Sequence, residues 1–143
     1  MSALPVVAAN PNPHFQRLGG EAAVARLVDA FYRAMDQRDD ARAIRAMHDA
    51  DLAQTKAVLR IYLAEWLGGP KRYTAERGQP RLRRVHMPFA IDSGARDAWL
   101  ACMRQALDEI GADAALRDEL LAAFAKVADH LKNTDTDSTH RSH

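Results

Sequence analysis

The stretch GEAAVARLVDAFYRAMD, residues 20–36, decides the fold. Its apolar members Val24, Leu27, Val28, Phe31, Tyr32 and Met35 recur at helical spacing, while Arg26, Asp29 and Arg33 fall on other faces. That pattern describes a helix with one buried stripe. Period-two alternation is absent here and along the rest of the chain, where Ala, Leu, Arg and Glu, all good helix formers, dominate. The chain therefore reads as all-α.

Working outward from this helix, the charged run 36–40 interrupts the pattern and a shorter helical segment follows at 41–47. Asp51 with Gln54 has the spacing of a capping box, and Leu52, Val58, Leu59, Tyr62, Leu63 and Trp66 then mark a second long helix. Gly68-Gly69-Pro70 stops it. Residues 71–92 show little periodicity and read as a long irregular connection with a helical turn at 82–86. Ser93 caps a helix whose stripe is Trp99, Leu100, Met103, Leu107 and Ile110, with Cys102 beside it and Gly111 at its end. Asp113 caps the last helix, with the stripe Leu116, Leu120, Leu121, Phe124, Val127, Ala128 and Leu131. The pattern predicts one domain at 15–132, preceded by a flexible arm, 1–14, rich in proline, and followed by a disordered polar tail, 133–143.

Composition narrows the class. A chain of 143 residues, 48% hydrophobic and 27% charged, has the size and balance of one globular domain, which excludes collagen-like and low-complexity types. A net charge of +1 does not indicate nucleic acid as a partner. No apolar run is long enough to cross a bilayer and no basic leader opens the chain, so neither a membrane nor a secretory route is expected. The single cysteine, Cys102, excludes an internal disulfide and a multi-thiolate zinc site, and fits a reducing, cytoplasmic setting.

Of the six histidines, His14, His130, His140 and His143 read as solvated, and no His-Glu-x-x-His or Cys-x-x-Cys occurs. His86 differs, because in RLRRVHMPFAI it stands beside Met87, Pro88 and Phe89. Between Lys71 and His86 there are six positive charges, Lys71, Arg72, Arg77, Arg81, Arg83 and Arg84, against Glu76 alone. A basic segment ending in an imidazole among apolar groups suits a flat apolar cofactor carrying a metal and edge carboxylates, and haem has that shape. A solvated basic loop, or a patch for an anionic partner, fits the same charges.

The ordered set Gly19-Gly20, Phe31-Tyr32, Tyr62-Leu63, Gly68-Gly69-Pro70, Tyr73, Gly78-x-Pro80-Arg81-Leu82-Arg83, His86-Met87-Pro88-Phe89 and Arg96-Asp97-Ala98-Trp99-Leu100 resembles a group II truncated haemoglobin from about residue 15 to 133. That resemblance implies a globin-like two-over-two helical sandwich around haem b, with His86 as the iron ligand. It implies Tyr32, Thr55, Leu59, Tyr62 and Trp99 around the distal face, with Leu63 and Phe89 as further pocket residues and His48 at the family's aromatic-or-histidine position. Relatives commonly carry an arginine before the proximal histidine where this chain has Val85, which moves the propionate contact to Arg83, Arg84 or Tyr73. The family's frequent Gly-His-Pro is Gly78-Gln79-Pro80 here.

Iron with one axial histidine leaves a sixth position open to dioxygen, carbon monoxide or nitric oxide. Dioxygen held there becomes polarised, and a buried donor bond to it contributes roughly 1.5–3 kcal/mol, about ten- to a hundredfold in release rate. Tyr32 and Trp99 are the expected donors. Slow release suits sensing or scavenging better than oxygen transport. The enzymatic alternative is nitric oxide dioxygenation or peroxide reduction, with His48 for acid/base work and an electron-donating reductase as partner. A monomer and a homodimer are both compatible with the sequence.

Overall fold

The computed structural model describes residues 13–78 and 92–131. Every regular element among them is helical: α1 (His14–Leu18), α2 (Gly20–Gln37), a 3₁₀ turn (Asp39–Ala41), α3 (Arg42–Ala46), α4 (Ala53–Trp66), α5 (Arg72–Arg77), α6 (Ser93–Glu109) and α7 (Ala114–Leu131). Helix α2 packs on both α4 and α6, and α6 packs on α7, so the pairs α2–α4 and α6–α7 stack as a two-over-two sandwich. The core lies where they meet, with Leu27, Phe31 and Met35 of α2, Leu63 of α4, Met103 and Leu107 of α6, and Leu116 and Leu120 of α7 all withdrawn from solvent. Each such side chain contributes roughly 1.5–3 kcal/mol by leaving water.

The helix ends follow from local chemistry. At the end of α4 the Gly68 N–H donates to the Glu65 carbonyl at 3.0 Å and the Gly69 N–H to that of Ala64 at 2.7 Å, with Gly68 at φ 101°. This is a Schellman stop, which favours glycine because the left-handed backbone crowds a Cβ. The Phe15 N–H reaches the Leu67 carbonyl at 2.9 Å, which clips α1 onto the same stop. At the start of α7, Asp113 accepts from Leu116 N–H at 3.1 Å, the expected cap.

Four local expectations shift. Asp92, not Ser93, caps α6, accepting from Ala95 N–H at 2.8 Å; a carboxylate also meets the positive end of the helix better than a hydroxyl. Before α4, Asp51 does accept from Ala53 N–H at 2.9 Å, but no described bond returns from Gln54. The connection after Pro70 contains α5, because Glu65 supplies from a distance the cap its own sequence lacks. His14 begins α1 and lies 3.3 Å from Glu119, so it belongs to the folded part and not to a solvated arm.

Helix α6 also turns differently. Its most buried stripe is Ala98, Cys102, Met103, Ala106 and Leu107, while Trp99, Leu100 and Ile110 are only partly covered. Small residues at four-residue steps line this buried stripe, and Cys102 sits on it and not beside it. Burial pushes its thiol up to about 11, so it behaves as a small apolar group.

Candidate functional site

Helix α2, the turn after α3 and helix α6 bring Tyr32, His48 and Trp99 to one region. Phe31 and Tyr32 meet edge-on with centroids 4.9 Å apart, Phe31 and Trp99 at 5.3 Å, and Tyr32 and His48 at 5.7 Å. Phe31 thus spaces the phenol from the indole, and edge-on contacts hold all four rings in defined orientations. Asp36 fixes Arg45 at 2.6 Å, and Arg45 donates to the carbonyls of Asp49 at 3.0 Å and Ala50 at 3.2 Å. Arg45 therefore shapes the turn that follows His48.

The Tyr32 side chain is buried, and desolvation pushes its hydroxyl up to about 12 despite the opposing charge of Arg45, so it remains a protonated donor. Among the described residues it donates to none. The phenol is therefore a buried donor that no described residue uses.

His48 is held by its Nδ1, 2.8 Å from the Ile44 carbonyl. A carbonyl can only accept, so Nδ1 carries the hydrogen, and in the neutral imidazole Nε2 is a bare acceptor. Neutral His48 thus takes a proton or hydrogen bond at Nε2, and donates there only when protonated.

Helix α4 forms a second wall. Thr55, Leu59 and Tyr62 recur along one face, all half-buried, and Leu59, Tyr62, Trp66 and Trp99 pack on the core while staying partly exposed. The Tyr62 ring meets Tyr73 of α5 edge-on at 5.4 Å. Burial raises the Tyr62 hydroxyl above its ordinary range, with Tyr73 and Glu65 adding to the effect. A half-covered apolar face beside unspent phenol and indole donors fits a flat apolar group that presents a polar ligand, which is what haem requires.

Of the residues expected from sequence, Tyr32, His48 and Trp99 come together; Thr55, Leu59 and Tyr62 share one helix face; and Tyr73 joins Tyr62. Leu63 is buried in the core cluster. Arg83, Arg84, His86 and Phe89, with the helical turn at 82–86, lie outside the described residues. Sequence reasoning missed Phe31 as the spacer, Phe124 behind Trp99 at 5.4 Å, and the Ile44 carbonyl that orients His48. The neighbour position 31–32 and the i to i+4 spacing 44–48 were the available signals.

A two-over-two helical sandwich with a partly covered apolar face and inward aromatic donors defines a small globin. Residues 13–133 match the model of the bacterial-like globin family, and the chain belongs to that family. It is 35% identical over 114 residues to the group 2 truncated haemoglobin YjbI of Bacillus subtilis (strain 168), covering 80% of this chain and 84% of that protein. The solved group II 2-on-2 haemoglobin of Agrobacterium tumefaciens is 39% identical, with TM-score 0.80 over 85% of this chain and 94% of that one. A truncated oxygen-avid haemoglobin from Bacillus subtilis matches at 33% identity and TM-score 0.77, over 84% and 98% of the two chains. Membership of this group implies a haem cofactor and diatomic gases as ligands. Among the described residues no helix is long and apolar enough to cross a membrane.

Proposed function

We propose that this chain is a cytoplasmic haem b protein that binds dioxygen, carbon monoxide and nitric oxide at a five-coordinate iron held by His86. The carrying observation is the donor pair Tyr32 and Trp99, both in edge-on contact with Phe31, with the Tyr32 hydroxyl used by no described residue. When bound, the haem supplies an iron with one open coordination position. Leu59, Tyr62 and Phe89 would pack its faces, and Arg83, Arg84 and Tyr73 would hold its carboxylates. Tyr32 and Trp99 would donate to a polar ligand, and Thr55, small and half-buried, leaves a route between solvent and the pocket. A single, buried cysteine leaves no thioether anchor, which supports non-covalent haem.

Reconstitution with haemin tests this reading. The expected result is a strong haem absorption with a histidine-ligated ferrous spectrum, weakened or abolished by His86→Ala. A folded, colourless wild type would overturn it.

A second reading, nitric oxide dioxygenation or peroxide reduction supported by an electron-donating reductase, is favoured by His48. With Nδ1 spent on Ile44, neutral Nε2 is a proton acceptor on a ring that packs edge-on with Tyr32. Turnover of hydrogen peroxide that falls in His48→Ala, with the ferrous spectrum intact, would support it. Turnover no faster than that of free haemin would leave ligand binding as the function, and equal turnover in both proteins would remove His48 from the reaction.

A further inference from the structure

The charged group best placed to act on the pocket without lining it is Glu65, near the end of α4. Its Oε1 accepts the Thr74 backbone N–H at 2.9 Å, and its Oε2 accepts the Thr74 hydroxyl. Thr74 is the third residue of α5, so Glu65 does from another helix what an N-cap side chain does locally. Among the described residues nothing else caps α5: Lys71, which precedes it, makes no side-chain cap bond, and six residues are too few to be stable alone. The bond fixes Tyr73, the residue before Thr74, against Tyr62, three residues before Glu65. The carboxylate and the ring pair thus form one closed contact between α4 and the start of α5.

We propose that Glu65 is a positioning residue for the cofactor pocket: by capping α5 from α4 it locks Tyr73 on Tyr62 and so sets how firmly the edge of the pocket retains haem. This rests on the functional reading above. Both Glu65 oxygens are spent on Thr74, which keeps the carboxylate turned to the helix end and leaves the Tyr73 hydroxyl and exposed Lys71 for an anionic edge. Charge and hydrogen bonding agree with this geometry. Glu65 is held below the usual carboxylate range, first by the Thr74 hydroxyl and backbone N–H, then by Lys71 and the Tyr73 N–H. The groups facing it are Tyr62 from its own helix and Lys71, Tyr73 and Thr74 from the α5 side. Because its folded value is depressed, the contact is complete above the ordinary carboxylate range and is lost as pH falls through the depressed value.

Two measurements on the full chain test the proposal, using Glu65→Ala and Glu65→Gln. In the apoprotein, hydrogen exchange at the Tyr73 and Thr74 amides should lose protection in Glu65→Ala and keep most of it in Glu65→Gln, whose side-chain oxygen still accepts. Wild-type protection should fall on acidification while that of Glu65→Gln stays flat. In the haemin-loaded protein, haemin transfer to an excess of apomyoglobin should speed up by about fivefold in Glu65→Ala, the size of a lost cap, and be largely restored in Glu65→Gln. Loss of amide protection with unchanged haemin transfer would overturn the proposal, as would unchanged protection. A wild type that takes up no haemin would overturn the functional reading and this inference with it, whereas a haemin-loaded Glu65→Ala that behaves as wild type overturns the inference alone.

Discussion

Replacing Tyr32 with phenylalanine separates a ligand-binding hydroxyl from a structural one. The ring is 4% exposed, and its contacts with Phe31 at 4.9 Å and His48 at 5.7 Å survive in the variant. The hydroxyl bonds to no described residue, so its removal should shift apoprotein stability by less than about 0.5 kcal/mol, below the net value of a made hydrogen bond. In the haem-loaded protein the same change deletes a donor to a polarised ligand, a loss of roughly 1.5–3 kcal/mol, or about ten- to a hundredfold faster dioxygen release. Denaturant unfolding of the apoprotein reads the first quantity, and displacement of dioxygen by carbon monoxide in a stopped-flow instrument reads the second. Equal release from both proteins would refute the donor role; an apoprotein destabilised by more than about 1.5 kcal/mol would mean the hydroxyl makes a structural bond. A pH series adds a signed check. The folded hydroxyl is raised from 10.0 to about 12, so its contribution is complete below 10 and is lost as pH rises through about 12, a loss absent in Tyr32→Phe.

Trp99→Phe should keep the ring contacts to Phe31 and Phe124 but remove the indole N–H, speeding dioxygen release; combined with Tyr32→Phe its effect should be non-additive, because both donors serve one ligand. A Cβ at Gly69 would lie 2.7 Å from the Phe15 ring, so Gly69→Ala should cost roughly 1–3 kcal/mol in denaturant unfolding as α1 is pushed off the end of α4. Asp92→Ala removes the α6 cap and should cost about 1 kcal/mol, while Ser93→Ala should cost less in the same assay. Cys102, fully buried with its thiol raised to about 11, should resist an aromatic disulfide reagent at neutral pH until denaturant unfolds the chain.

Features governed by neighbours in the chain were legible. The stripe of residues 20–36 foretold α2, Gly68-Gly69-Pro70 foretold the Schellman stop, and Asp113 foretold the α7 cap, because each depends on contacts within one or two turns. The buried seam of α6 was not, since Ala98, Cys102 and Ala106 carry too little apolar area to stand out beside Trp99 and Leu100. Helix α5 was hidden for another reason: its cap comes from Glu65, nine residues away from Thr74, and a local pattern cannot report a partner on another helix.

The site divides along the same line. Resemblance to the family, carried by the order of motifs, named Tyr32, His48 and Trp99 as expected pocket residues, and residue types alone made the basic run toward His86 a candidate for holding haem. Only the folded chain decided that Phe31 spaces the two donors, and that His48 spends Nδ1 on the Ile44 carbonyl and so presents a bare Nε2. Sequence sets which groups can donate or accept. Which of them is already satisfied, and which is left for a ligand, depends on distances between helices that the local pattern does not contain.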